Sequence, residues 1–123
     1  MNQLPGNSKE PLALVILNAS RDAVLREGRA KTLNDAGYYT TSAETPEEAI
    51  TLAAQMKCAV AIVCDSFTMA ERRLIHMRIQ KAVPATTVLF LANSDANNAQ
   101  ILISAVRAAL ELRSTANFRH KAV

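Results

Sequence analysis

Three uninterrupted apolar runs punctuate the chain: LALVIL from Leu12, CAVAIVC from Cys58 to Cys64, and VLFLA from Val88 to Ala92. Runs of this length with no polar alternation read as strands covered on both faces, which is the pattern of a parallel sheet between helix layers. The segments between them carry helical spacing instead. Ser20 or Asp22 caps a helix that runs to about Ala36, with Leu25, Thr32, Leu33 and Ala36 inward and Gly28 allowing close helix–sheet approach. Gly37 supplies its left-handed stop. Tyr38–Ala43 is a short polar strand expected at the sheet edge. Thr45-Pro46-Glu47-Glu48 starts the next helix with a cap, a first-turn proline and a capping-box acid. Ala49, Leu52, Ala53 and Met56 then form its apolar stripe. Thr68 and Glu71 make a second capping box for a helix ending before Pro84. A last helix follows the polar stretch 93–98, with Leu102, Val106, Ala109 and Leu110 inward. The order is βαβαβαβα, and right-handed crossovers give strand order 2-1-3-4. Residues 1–11 read as a flexible leader, 12–112 as one domain, and 113–123 as a loose basic tail.

Composition narrows the class. The chain has 123 residues, 50% hydrophobic and 20% charged, as one ordinary globular domain has. Its formal net charge of +3 is the one hint of nucleic acid, but the excess is Arg113, Arg119 and Lys121 in the tail. Residues 1–112 are balanced, so nucleic acid is not an expected partner. No apolar run reaches the roughly 20 residues of a membrane helix, and the polar N-terminus has no signal-peptide pattern. A cytoplasmic protein is expected, without membrane contact. Cys58 and Cys64 lie at opposite ends of one strand, roughly 20 Å apart, too far for a disulfide with each other. Both read as small buried hydrophobes.

The chemistry-bearing position is Asp65. It follows the central apolar run, and ligands gather at the carboxyl ends of the strands in α/β sheets. The spacing of the elements, AGY before the second strand, TPEEAI opening the second helix, and AIVCDS ending the third strand in an acid together resemble the receiver (CheY-like) domain of bacterial two-component response regulators. The resemblance covers roughly residues 12–112. It implies a flavodoxin-like three-layer α/β/α fold and makes Asp65 the candidate phosphoacceptor. It also marks departures. Where receivers carry an acidic pair after the first strand, this chain has Ser20-Arg21 or, with a shifted alignment, Asn18-Ala19. Asp22 sits about where the family has a third acid. Ala92 stands at the Ser/Thr that ends the fourth strand, unless Ser94 substitutes. The family's fourth helix and its fifth strand ending in Lys-Pro are not found. Ser20, Arg21, Asp22 and Ala92 are therefore remnants of a site. Mg²⁺, which wants an octahedral oxygen shell, has only Asp22 and Asp65 as weak candidates, and enters only if Asp65 is phosphorylated. No other cofactor or metal is expected.

The residues themselves leave three roles for Asp65: phosphoacceptor, local cap, or ion partner of Arg21. The leading expectation for the whole chain is a protein-interaction module with a degraded phosphorylation site. The alternative is a working phosphoacceptor. A small phosphotransferase or hydrolase with Asp65 as nucleophile is the third, and its second acid would fall where Phe67 stands. No Ser/His/Asp set or glycine-rich phosphate loop suggests an enzyme or a small-molecule substrate. Without a fifth strand, strand four is an apolar edge, and such edges pair with another chain unless protected. A homodimer or protein partner is expected there, with Val88, Phe90, Leu102 and Val106 as interface candidates. The basic row Arg72, Arg73, His76, Arg78 and Lys81 reads as a solvated helix face.

Overall fold

The computed structural model describes residues 14–92 and 98–122, with side chains of 113–122 left aside. Its elements are β1 (Val15–Ala19), α1 (Ala23–Asp35), β2 (Tyr39–Ala43), α2 (Pro46–Met56), β3 (Val60–Cys64), α3 (Met69–Ala82), β4 (Thr87–Leu91) and α4 (Ala99–Ala122). The four strands form one parallel sheet in the order β2-β1-β3-β4, as right-handed crossovers require.

Alternation along the strands sends side chains to two separate cores. On one face, Leu17, Ala61 and Val63 pack against Ala49 and Ala53 of α2 and Ile75 and Ile79 of α3. On the other, Ile16, Val60 and Ile62 pack against Leu33 of α1 and Leu102, Val106 and Ala109 of α4. β3 is buried at all five positions, which explains its unbroken apolar run.

The helix ends follow local hydrogen-bond chemistry. Asp22 caps α1 by accepting from Leu25 N at 3.1 Å, and Gly37 takes φ +97° after it. Thr45 caps α2 through Glu48 N, but the Glu48 carboxylate accepts from Glu44 N at 2.9 Å, one residue earlier than a capping box requires. Thr68 and Glu71 make the full reciprocal box on α3.

Four expectations are corrected. Gly28 faces solvent and would seat a Cβ freely. The inward row of α1 is Leu25, Arg29 and Leu33 at i, i+4, i+8, and Ala36 is exposed. Leu102 and Val106 are completely buried; α4 lies flat on the sheet, so they are core and not interface. The chain beyond residue 112 is helical to Ala122, where a loose tail was expected. That stretch has no Gly or Pro to stop a helix. The leader 1–11 and Ser94 lie outside the described residues.

Candidate functional site at the carboxyl edge of the sheet

The loops leaving β1 and β3 emerge side by side beyond the carboxyl ends of the strands, because β3 pairs in parallel with β1, and the end of β4 lies on the other side of β3. Asp65 follows β3 and is exposed. Its backbone N–H donates to Leu91 O at 3.2 Å, extending the ladder to the end of β4 next to Ala92. The Cys64 thiol lies 3.8 Å from Asp65 Oδ1.

The loop after β1 is pinned by hydroxyls. Ser20 is fully buried, its N–H donates to Ala43 O, and its Oγ accepts from Asp22 N at 3.1 Å. Ser20 Oγ and Ser66 Oγ share a hydrogen bond at 3.3 Å, and Ser66 Oγ also accepts from Arg21 N at 2.9 Å. Residues 20–22 and 65–66 are thereby tied together across the sheet's edge. Asp22 is committed to its helix cap.

Arg21 reaches over this junction to Glu71, which completes the link between the β1 loop and α3. Of the three roles open to Asp65, the pair with Arg21 is not among the ion pairs of the described residues, where Arg21 takes Glu71. Glu71 already accepts from Thr68 N in its capping box, so its carboxylate sits at the first turn of α3, within reach of the β1 loop. The Thr68 N–H and the Arg21 guanidinium hold the Glu71 carboxyl below its usual value of 4.5. The Arg21 guanidinium also lies 5.2 Å from the centroid of the Phe67 ring. Phe67 is 1% exposed, so the position two residues after Asp65 is hydrophobic core with a cation over it.

Several participants are silent in the sequence pattern. Ser66 is an unremarked neighbour of Asp65, and nothing local announces it as the anchor of the β1 loop. Glu71 is legible as a cap but not as the partner of Arg21. Beneath α1 lies a polar cluster: Asn18 Nδ2 donates to Arg26 O and Ser42 Oγ. Arg26 Nη1 donates to Ser20 O at 2.8 Å, and buried Arg29 donates to Asn18 Oδ1 at 3.4 Å. The i, i+4, i+8 spacing of Leu25, Arg29 and Leu33 is the signal that could have placed Arg29 inward.

Against this geometry, one solved structure compares over nearly its whole length. A response regulator receiver domain protein (CheY-like) from Methanospirillum hungatei JF-1 superposes with a TM-score of 0.72 at 15% identity, covering 85% of this chain and 98% of that one. The chain has the fold of a response-regulator receiver domain. No family model matches the sequence, and no curated protein does. On this fold Asp65 directly follows β3, at the carboxyl edge of the sheet. Among the described residues, no three His, Cys, Asp or Glu side chains come together as a metal-binding group, and no helix is long and apolar enough to cross a membrane.

Proposed function

We propose that this chain is a cytoplasmic, receiver-like signal-transduction module that works by binding a protein partner, and that its phosphorylation site is degraded. The observation that carries this reading is the occupant of the β1 loop. Phosphoryl transfer needs cations that neutralise charge spreading over the transferred oxygens, and a Mg²⁺ ion needs a set of oxygen donors to hold it. Here the loop offers Ser20, whose hydroxyl is engaged with Ser66 and Asp22. It also offers Arg21, a fixed cation engaged with Glu71 and Phe67. Asp22 spends an oxygen on its helix cap. A guanidinium beside the site and one exposed carboxylate at Asp65 do not fit a divalent cation, and no step is derived through one.

Asp65 as a working phosphoacceptor is the second reading. Its exposure at the end of the central strand favours it. The nucleophilic-enzyme reading is weaker, because Phe67 is buried where that chemistry needs an acid.

The test is an amide NMR titration of the full chain with MgCl₂. The expected result is no saturable shift at Asp22, Ser20 or Asp65 beyond that of remote surface amides. Saturable shifts confined to those residues would overturn the reading.

A further inference from the structure

The open side of β4 has a defined chemistry. Thr87 N donates to Ala59 O, and Leu91 O accepts from Asp65 N, so Thr87, Leu89 and Leu91 turn their main-chain groups toward β3. In a parallel ladder the intervening residues turn theirs away. Val88 and Phe90 therefore present N–H and C=O groups on the side of β4 where no strand pairs among the described residues. Four main-chain groups stand in line there, as an incoming strand needs.

The side chains beside that edge are apolar and cationic. Val88 packs on the core shared with α2 and α3. Phe90 is 48% exposed and meets the His76 ring edge-on at 5.9 Å. Phe90 lines a shallow groove with Met69, Arg72 and Arg73, and positions 69, 72, 73 and 76 form one face of α3 (i, i+3, i+4, i+7). Arg72 Nε is buried with no hydrogen-bond partner. The three ion pairs among the described residues are Arg21–Glu71, Arg26–Glu44 and Lys31–Asp35; none involves Arg72 or Arg73. The groove thus combines an exposed phenyl ring with a strand edge and two arginines that, among the described residues, have no pairing strand and no carboxylate partner.

We infer that the β4 edge and the adjoining face of α3 dock an extended, acidic segment of another protein. The segment adds a strand at Val88 and Phe90, sets an apolar side chain against Phe90 and Met69, and places carboxylates on Arg72 and Arg73. Guanidinium–carboxylate pairing at a partly desolvated edge is the strong form of such a contact. A second copy of this chain suits the surface less well. Antiparallel pairing of β4 with β4 has its two-fold axis perpendicular to the sheet, so α3 would face α3. The Arg72 and Arg73 pairs would then meet like charge to like charge. This inference rests on the partner-binding reading above and supplies the partner's chemistry.

The probe is a pair of blocked peptides, one alternating valine with glutamate and the other valine with lysine, titrated into the full chain by amide NMR. The glutamate peptide is expected to shift Val88, Phe90, Arg72 and Arg73 saturably, and the lysine peptide to leave them still. Arg72→Glu/Arg73→Glu is expected to weaken the contact about tenfold or more. Phe90→Pro removes one edge donor while leaving the β3 ladder its bonds, and is expected to weaken it similarly. If that variant fails to fold, the arginine variant, which lies on the helix surface, decides alone. Equal binding of both peptides, shifts elsewhere, or no binding would overturn the inference, as would light scattering that shows a dimer abolished by Phe90→Pro. A phosphoryl adduct on Asp65 with peptide binding intact would overturn only the degraded-site reading. Absence of both adduct and peptide binding would overturn only this one.

Discussion

Replacing Arg29 by methionine is expected to stabilise the protein. Arg29 is 1% exposed, and a guanidinium keeps its charge in proteins. Its one hydrogen bond is long, 3.4 Å to Asn18 Oδ1, and Nε and Nη2 have no partner. No carboxylate pairs with it among the described residues. Burying an ion costs several kcal/mol even after relaxation. Methionine fills comparable volume without that cost, at the expense of the bond to Asn18 Oδ1, which is worth about 1–3 kcal/mol when a buried acceptor is left alone. The balance favours Arg29→Met by about 1–3 kcal/mol, within the range seen when buried charges give way to apolar side chains. Arg29→Ala should have the opposite sign, because it also discards the packed aliphatic stem. Urea unfolding followed by far-UV circular dichroism reads both. At a slope of about 1–3 kcal/mol per molar, the methionine variant's midpoint rises by about 1 M. A midpoint that falls, with the slope unchanged, would refute the reasoning and show that Arg29 holds its charge for a partner.

Two further outcomes follow from the titrating groups. The folded state holds Glu71 below its usual value of 4.5, so its stabilising contribution is complete above that value and is lost as pH falls through the lower folded one. Glu71→Gln should therefore flatten the acid limb of a melting-temperature profile, and an unaltered limb would show that the Thr68 and Arg21 contacts do not hold in solution. Burial pushes the Cys58 thiol up to about 11, leaving roughly one part in ten thousand as thiolate at neutral pH. Cys64 is fully buried. Ellman's reagent should find neither thiol until denaturant is added; rapid labelling of the native protein would contradict the core assignment.

Much of the fold was readable because its signals are local and reinforce one another. Three apolar runs, a proline after Thr45 and the Thr68–Glu71 pair each name an element or its start, and the right-handed crossover then orders the strands. The site was readable only as far as chain position could carry it. Asp65 falls at the end of β3 because a strand's end is a sequence feature. The Ser20–Ser66 bond and the Arg21–Glu71 bridge join residues 46 and 50 positions apart, and nothing local encodes such pairings. For Arg21 the sequence suggested only Asp65 as an ion partner, while the capping box fixes the Glu71 carboxylate within its reach. Gly28 shows the reverse error: a glycine between apolar residues suggested close packing, but the true inward row passed through a charged residue. Leu102 and Val106 were correctly placed facing inward and then also assigned to an interface, and one surface of a helix cannot serve both.

The central claim is that the carboxyl edge has kept the receiver's geometry and lost its phosphoryl chemistry. Intact-protein mass after incubation with acetyl phosphate and MgCl₂, run beside Asp65→Asn, tests it most directly. The account predicts the same unmodified mass for both proteins. A single phosphoryl adduct on the wild-type chain that is absent from Asp65→Asn would contradict it.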